Sequence, residues 1–244
     1  MTEDKLPEKE MTFLDHLEEL RNRLIKSLVS IAVGVGVSYI FRDKIFLLIS
    51  SPLPGKIEHL TTLHPSEAFM VYMTVSLWTG MVLAFPVLVY QIWRFVSPGL
   101  YAKEKKIVIP MVFAITFFFL LGVAFCYKIV YPFTLKFFLD YNVGILMATW
   151  TAEEYFSFTL RMLFAFGIVF ELPFVMALLT CVGVVDVEIF KRNRRVAIVI
   201  IFVVAAILTP SDVFSQLMLA LPLTLLYEFG ILLSKILLLT KSRE

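Results

Sequence analysis

Long apolar stretches alternate with short charged ones along most of this chain. After a polar start, runs able to cross a hydrocarbon core of roughly 30 Å, each needing about 20 residues, recur almost to the C-terminus. They predict six helices near residues 23–43, 69–93, 107–131, 156–181, 194–209 and 213–235. The expected fold is an all-α membrane protein with six transmembrane helices in one integral-membrane domain over residues 1–244. Within it, residues 1–22 are expected as a cytoplasmic amphipathic N-terminal helix, about 23–235 as the six-helix membrane region, and 236–244 as a cytoplasmic tail. The first apolar run, Ser27 to Phe41, follows charges of both signs and ends without a small-residue cleavage site. It reads as a retained span and not as a signal peptide.

Irregularities in the pattern carry more information than its regular parts. Between Arg195 and Pro210 lie only 14 residues, which as a helix rise about 21 Å, roughly 9 Å short of the hydrocarbon core. Pro210-Ser211-Asp212 then makes a tight outer turn in which Ser211 or Asp212 can cap the sixth helix. Each helix running from outside to inside holds a proline: Pro86, Pro173 and Pro222. Each removes one backbone bond, to the carbonyls of Val82, Val169 and Met218, and bends its helix. Three such helices suggest a concave wall, although proline is also simply commoner in membrane helices. The outer loops, 44–68 and 132–155, are partly apolar and are expected to lie in the interface or to roof the outer side as structured loops.

Composition agrees, since 59% hydrophobic and 15% aromatic residues exceed what a soluble surface tolerates. The formal charge of +2 balances 22 basic against 20 acidic residues, so placement matters more than the sum. With the N-terminus inside, sixteen Lys and Arg fall on the inner side and five on the outer, with Arg161 near the outer end of the fourth helix. That asymmetry predicts both termini in the cytoplasm. No nucleic-acid footprint is visible. Cys126 and Cys181 lack C-x-x-C spacing and read as small core hydrophobes.

Enzyme signatures are missing. His16, His59 and His64 lie outside the predicted spans, with no H-E-x-x-H pattern and no histidine placed to serve a membrane-embedded serine. Asp140, Asp186 and Asp212 sit in loops or at helix ends, which does not suit an intramembrane aspartyl protease. No cofactor or metal site is expected. What remains is a set of carboxylates. In MTFLDHLEELRNRL, Thr12 with Asp15 reads as a capping box, and Phe13, Leu17, Leu20 and Leu24 form an apolar stripe. This predicts an amphipathic helix at the cytoplasmic surface whose polar face offers Asp15, Glu18 and Glu19. The plainer alternative pairs Glu18 with Arg21 and Glu19 with Arg23 on a solvated face. In FVSPGLYAKEKK, Glu104 is the one acid of a basic loop. In FAFGIVFELPFVMALL, residues 164–179, Glu171 falls near the bilayer centre, too deep to reach the surface. It should face protein or a wet cavity, or else be protonated.

At these residues the sequence resembles the TatC family, the polytopic subunit of the twin-arginine protein translocase. The matching motifs are His16-Leu17-Glu18-Glu19-Leu20-Arg21, then Phe95 through Pro98 with Leu100, Tyr101 and Glu104. They continue with Phe166-Gly167, Phe170-Glu171-Leu172-Pro173, and Leu208-Thr209-Pro210-Ser211-Asp212 leading to Ser215-Gln216, with Pro52 in the first outer loop. Together they span roughly residues 13 to 228. Ser211 stands where a second proline is frequent, and Lys105 where arginine is common.

The resemblance implies recognition of twin-arginine signal peptides on the cytoplasmic face and export of folded proteins by the proton-motive force. It implies TatA-like and TatB-like single-span partners, a possible homo-oligomer, and residence in the prokaryotic cytoplasmic (inner) membrane. It assigns signal-peptide binding to Glu19, Glu104, Arg21, Phe95, Leu100 and Tyr101, a membrane-embedded function to Glu171, and the outer turn and partner contact to Pro52, Asp212 and Gln216. Elementary electrostatics points the same way: a face dominated by lysine and arginine would repel a twin-arginine ligand unless carboxylates were concentrated on it, and Glu19 and Glu104 provide two. Guanidinium grips a carboxylate with two parallel hydrogen bonds, which an ammonium cannot reproduce. Two other classes fit less of the sequence. A proton-coupled secondary transporter using Glu171 would predict a pseudo-symmetric repeat, which is not visible; an insertase would read hydrophobic segments without regard to arginine.

Overall fold

The computed structural model describes residues 13–52, 60–96, 108–140, 150–181, 183–208 and 213–241. Among them the chain is helical nearly throughout. α1 (Phe13–Ile40) is followed by the short α2 (Arg42–Ser50), and α3 (Glu67–Val96) runs back through Pro86. α4 (Val108–Phe125) passes through a π turn (Cys126–Val130) into α5 (Tyr131–Asp140). α6 (Ala152–Val169) and α7 (Leu172–Cys181) are two parts of one path, α8 (Val187–Arg192) leads into α9 (Arg194–Leu208), and α10 (Val213–Lys241) contains Pro222.

Five helical stretches are long and apolar enough to cross a membrane: Leu14–Ile40, Glu67–Phe95, Ile109–Phe138, Ala152–Cys181 and Val213–Leu238. α9, at 15 residues, is shorter. The surface of these helices is strongly apolar, with Phe113 75% and Ile207 77% exposed. So much contiguous hydrocarbon belongs against lipid or protein and not against water.

Four expectations change in form. The N-terminal amphipathic stretch is no separate surface helix, because α1 is unbroken over 28 residues, about 42 Å. No glycine or proline interrupts it before Gly34, so the stripe of Leu17, Leu20 and Leu24 extends the first span along its own axis. The capping residue proposed for it, Thr12, lies outside the described residues. In the first outer segment, IFLLIS folds as α2, burying Ile49. In the second, the helix continues past residue 131 to Asp140. Pro132 there does not stop the helix because the preceding turn is wide: the Tyr131 N–H bonds to the Cys126 carbonyl five residues back, so the ladder is already offset where proline has no N–H to offer. Around Pro173, finally, the helix breaks at Phe170 and Glu171 where a bend was expected.

Helices meet where glycine lets them. A Cβ on Gly34 would collide with the carbonyl of Gly80, and one on Gly80 with the backbone of Val35, so α1 and α3 touch backbone to backbone. Gly122 of α4 accepts the Phe166 carbonyl and Phe170 of the α6 region, Gly167 of α6 accepts the Phe119 ring, and Gly230 of α10 accepts Met176 and Pro173 of α7. Between hydrocarbon-facing helices, where burial adds little, such close approach is the main source of association.

At the end opposite the N-terminus the connecting segments are knitted together. Thr61 and Thr151 form an isolated parallel bridge, with Thr61 N–H to Trp150 O at 3.1 Å and Ala152 N–H to Thr61 O at 2.9 Å. The buried carboxylate of Glu67 accepts Leu63 N–H at 2.6 Å on one oxygen and Glu153 N–H at 3.1 Å on the other. Thr151 caps α6 by accepting Glu154 N–H at 3.2 Å. Tyr155 OH donates to Ile49 O at 3.0 Å, which ties α2 down.

The glycine seam gives a controlled prediction. Gly80→Val should lower stability by about 1–3 kcal/mol, the cost of forcing bulk into a filled contact. Gly36→Ala, where an added Cβ meets nothing within 4 Å, should be neutral or slightly stabilising because alanine is the better helix former. Thermal unfolding of the two purified variants in the same detergent would measure the difference, and equal stability would mean that the helices are not in backbone contact.

Candidate functional site

The seam between α1 and α3 leads from the glycines toward the N-terminal end of the molecule in antiparallel register. Eleven residues separate Arg23 from Gly34 and eleven separate Gly80 from Gln91, about 17 Å on each helix. Accordingly Arg23 and Gln91 meet, with Nη1 donating to Oε1 at 3.1 Å. Further out, the His16 and Phe95 rings stack at 4.5 Å with their planes 22° apart. Glu19 is fixed between these contacts. Its Oε1 accepts Arg23 Nη2 at 2.8 Å, and its Oε2 is buried without a hydrogen-bond partner among the described residues. An open recess of about 300 Å³ lies here, lined by Asp15, Glu18, Glu19, Asn22, Arg23 and Lys26.

Of the pairings expected on a solvated face, Glu19 with Arg23 is present. Glu18 and Arg21 are exposed and do not pair with each other. Phe95 is half-buried against His16. Leu100, Tyr101 and Glu104 lie outside the described residues. The sequence reading did not select Gln91 or His16 as site residues. Their partners stand 68 and 79 positions away in the chain, and no local spacing announces such contacts.

Glu171 occupies the break between α6 and α7. Its N–H closes a tight turn on Ile168 O at 3.0 Å, and its own carbonyl accepts Val175 N–H at 2.9 Å as the next helix begins. The side chain is 9% exposed, and neither carboxylate oxygen has a hydrogen-bond partner among the described residues. The backbone of Phe119 approaches it, but that residue is in the middle of α4, where N–H groups are already bonded within the helix. A buried acid with unspent hydrogen-bonding capacity is costly and calls for a reason beyond packing.

The remaining candidates lie elsewhere. Pro52 ends the turn after α2, next to Ser51, whose Oγ shares a hydrogen bond of 2.8 Å with Tyr127 OH of the π turn. The same tyrosine donates to Leu48 O. Gln216 Nε2 donates to Phe202 O at 3.0 Å, joining α10 to α9. Asp212 and the turn around it are outside the described residues. Cys126 is buried, Cys181 half-buried, and both are free thiols. Among the described residues no group of three or more His, Cys, Asp or Glu could hold a metal ion.

Comparison with known proteins places this arrangement. The sequence profile of the Sec-independent protein translocase protein (TatC) family matches residues 15–222. The Sec-independent protein translocase protein TatC of Desulforapulum autotrophicum is 44% identical over 228 residues, which cover 92% of this chain and 84% of that one. The TatC of Aquifex aeolicus is 40% identical over 230 residues, 93% of this chain and 95% of that one. A crystal structure of the twin-arginine translocase receptor TatC superposes with a TM-score of 0.82 at 40% identity, covering 91% of this chain and 98% of that chain. A match of this extent in both sequence and fold means that the chain belongs to the TatC family of Sec-independent protein translocase proteins.

Proposed function

We propose that this chain is the signal-peptide receptor of a twin-arginine export system, a transport component that crosses the cytoplasmic membrane six times with both termini inside. In this reading α9 is the fifth crossing in chain order, short enough to thin the bilayer beside it. The recess at Glu19 faces the cytoplasm and, with Glu104, takes the paired arginines of the peptide. Arg21, Phe95, Leu100 and Tyr101 surround the peptide. Folded cargo then moves by the proton-motive force with TatA-like and TatB-like subunits. The observation that carries this reading is Glu19 itself: a carboxylate held in fixed geometry on a face otherwise rich in lysine and arginine, in an open recess. Such a group selects a planar, bidentate cation.

Glu171 supports a further part of the reading. An unpartnered acid at a helix break near the bilayer centre lowers the local barrier to polar groups, as a lining of a concave wall against which cargo passes would require. The same acid would suit the midplane site of a proton-coupled transporter, but family membership favours the translocase.

The short α9 and the outer end of α10 form the proposed docking edge for a partner's single span. Gln216 gives one amide N–H to Phe202 O within the chain, which leaves its second N–H and its carbonyl oxygen for a partner, while Phe214 stacks on Phe137 at 3.6 Å. Leu221 and Leu225, 56% and 72% exposed, present apolar surface further along α10.

Three measurements check these points. Glu19→Gln or Glu104→Gln should each weaken binding of a twin-arginine signal peptide by about 1.5–3 kcal/mol, the scale of a charge-assisted hydrogen bond; unchanged binding in the double variant removes the assignment. Glu171→Ala should leave folding and peptide binding near wild type yet reduce transport in an export assay, with Glu171→Gln retaining much of it, whereas full transport by Glu171→Leu would end the polar-lining idea. Photo-crosslinkers at Leu221 and Leu225 should capture a TatA-like or TatB-like subunit, and capture solely from α1 or α4 would move the docking edge.

A further inference from the structure

In the recess assigned above to the signal peptide, the carboxylate already holds a guanidinium. Arg23, one turn along α1, gives Nη2 to Glu19 Oε1 at 2.8 Å and Nη1 to Gln91 Oε1 at 3.1 Å. The pair is well shielded, its side chains 14% and 17% exposed for Arg23 and Glu19. The second oxygen of Glu19 is buried. One oxygen is therefore occupied by Arg23 and the other is covered, while an incoming guanidinium needs two adjacent, reachable acceptors for its fork. We propose that Arg23 is a built-in stand-in for the peptide's arginine: the resting site is self-occupied, and a twin-arginine peptide engages Glu19 by exchanging one guanidinium for another.

The exchange trades one bond for two. Peptide binding at Glu19 surrenders the single bond to Arg23 and makes the two of a guanidinium fork, so the net gain there is about one charge-assisted hydrogen bond and not the full worth of the new pair. Gln91 suits this role because it is neutral. Its carbonyl oxygen can keep one bond to Arg23 after Glu19 is given up, without competing for the peptide's charge. Once displaced, Arg23 shares the recess with the incoming cation and with Lys26, so repulsion adds to the cost; Asp15 and Glu18 on the same wall offset part of it. The consequence is a receptor whose affinity is held down by its own side chain, which favours release of the peptide after it has been read. Arg23 acts here through Glu19 and is a competitor within the site. A purely structural role would have the opposite sign, since loss of a supporting contact weakens binding.

This inference rests on the signal-peptide reading, and the test separates the two. The full-length protein in lipid nanodiscs is titrated with one synthetic twin-arginine signal peptide, and thermal stability is recorded in parallel. Arg23→Gln should bind the peptide roughly three- to tenfold more tightly, the range expected when a partly shielded ion pair no longer competes, while its melting temperature falls. Arg23→Lys keeps the cation but cannot hold the fork between two helices. It should show a smaller tightening, and it decides the matter if Arg23→Gln does not fold. Both gains should vanish in a Glu19→Gln background. Weaker or unchanged binding in folded Arg23 variants, with wild-type binding still dependent on Glu19, overturns the self-occupied site and leaves the receptor reading intact. Peptide binding that is indifferent to Glu19 overturns both.

Discussion

The backbone contact between Gly34 and Gly80 is what the N-terminal end of this molecule depends on. In hydrocarbon there is little gain from burying one apolar helix against another, so association must come from proximity itself. Removing two side chains brings α1 and α3 together at one level, and helical regularity carries the register onward. Eleven residues further along each helix, Arg23 and Gln91 are in hydrogen-bonding range, and beyond them His16 and Phe95 stack. The position of Glu19 follows from Arg23, and the position of Arg23 follows from the seam. The carboxylate proposed to take a guanidinium is thereby fixed by a contact about 22 Å away along the helix.

α3 also controls the opposite end. Glu67, its first residue, uses both carboxylate oxygens to hold backbone amides, that of Leu63 in the preceding segment and that of Glu153 in the first turn of α6. The Thr61–Thr151 bridge repeats the link. A single helix is therefore clamped at one end by its own acid and meets the candidate recess of α1 through Gln91 at the other. The segments at the clamped end contain α2 and α5, and Tyr127 of the π turn holds the end of α2 through Leu48 and Ser51. The extra residue of a π turn rotates the following side chains relative to an ordinary helix. Here that rotation coincides with the tyrosine's reach to α2 and with the passage of Pro132.

How much of this was legible in the sequence depends on the range of each signal. The long helices were, because a run of about 20 apolar residues has few other uses. α2 was not, because nine residues with a short apolar centre read equally well as a loop at the interface. α5 was hidden by Pro132, which ordinarily marks a stop. The start of α6 was readable in Thr151-x-x-Glu154, a capping pattern that the apolar window passed over. Pro173 announced a disturbance but not its form: proline fits the second position of a new helix, so the chain breaks at Phe170–Glu171 and starts again. In the recess, Glu19 with Arg23 follows from helical spacing, whereas Gln91 depends on the register of two helices and could not be read from either alone.

Glu19 and Glu171 show why two acids in one apolar chain behave differently. Glu19 is met by a cation on its own helix, so its charge is balanced locally and the site can exist before any ligand arrives. Glu171 has no such partner among the described residues, although its backbone N–H and carbonyl are both bonded at the helix break. A balanced acid can discriminate, because what it binds must displace or outcompete a known neighbour. An unbalanced one cannot select by geometry; it changes the medium around it, drawing in water or polar groups where hydrocarbon would otherwise be continuous. In the proposed function, recognition therefore belongs with the acid paired to Arg23, and perturbation of the bilayer with Glu171. The two tasks are separable in the chain because they rest on different helices and on opposite answers to the same electrostatic problem.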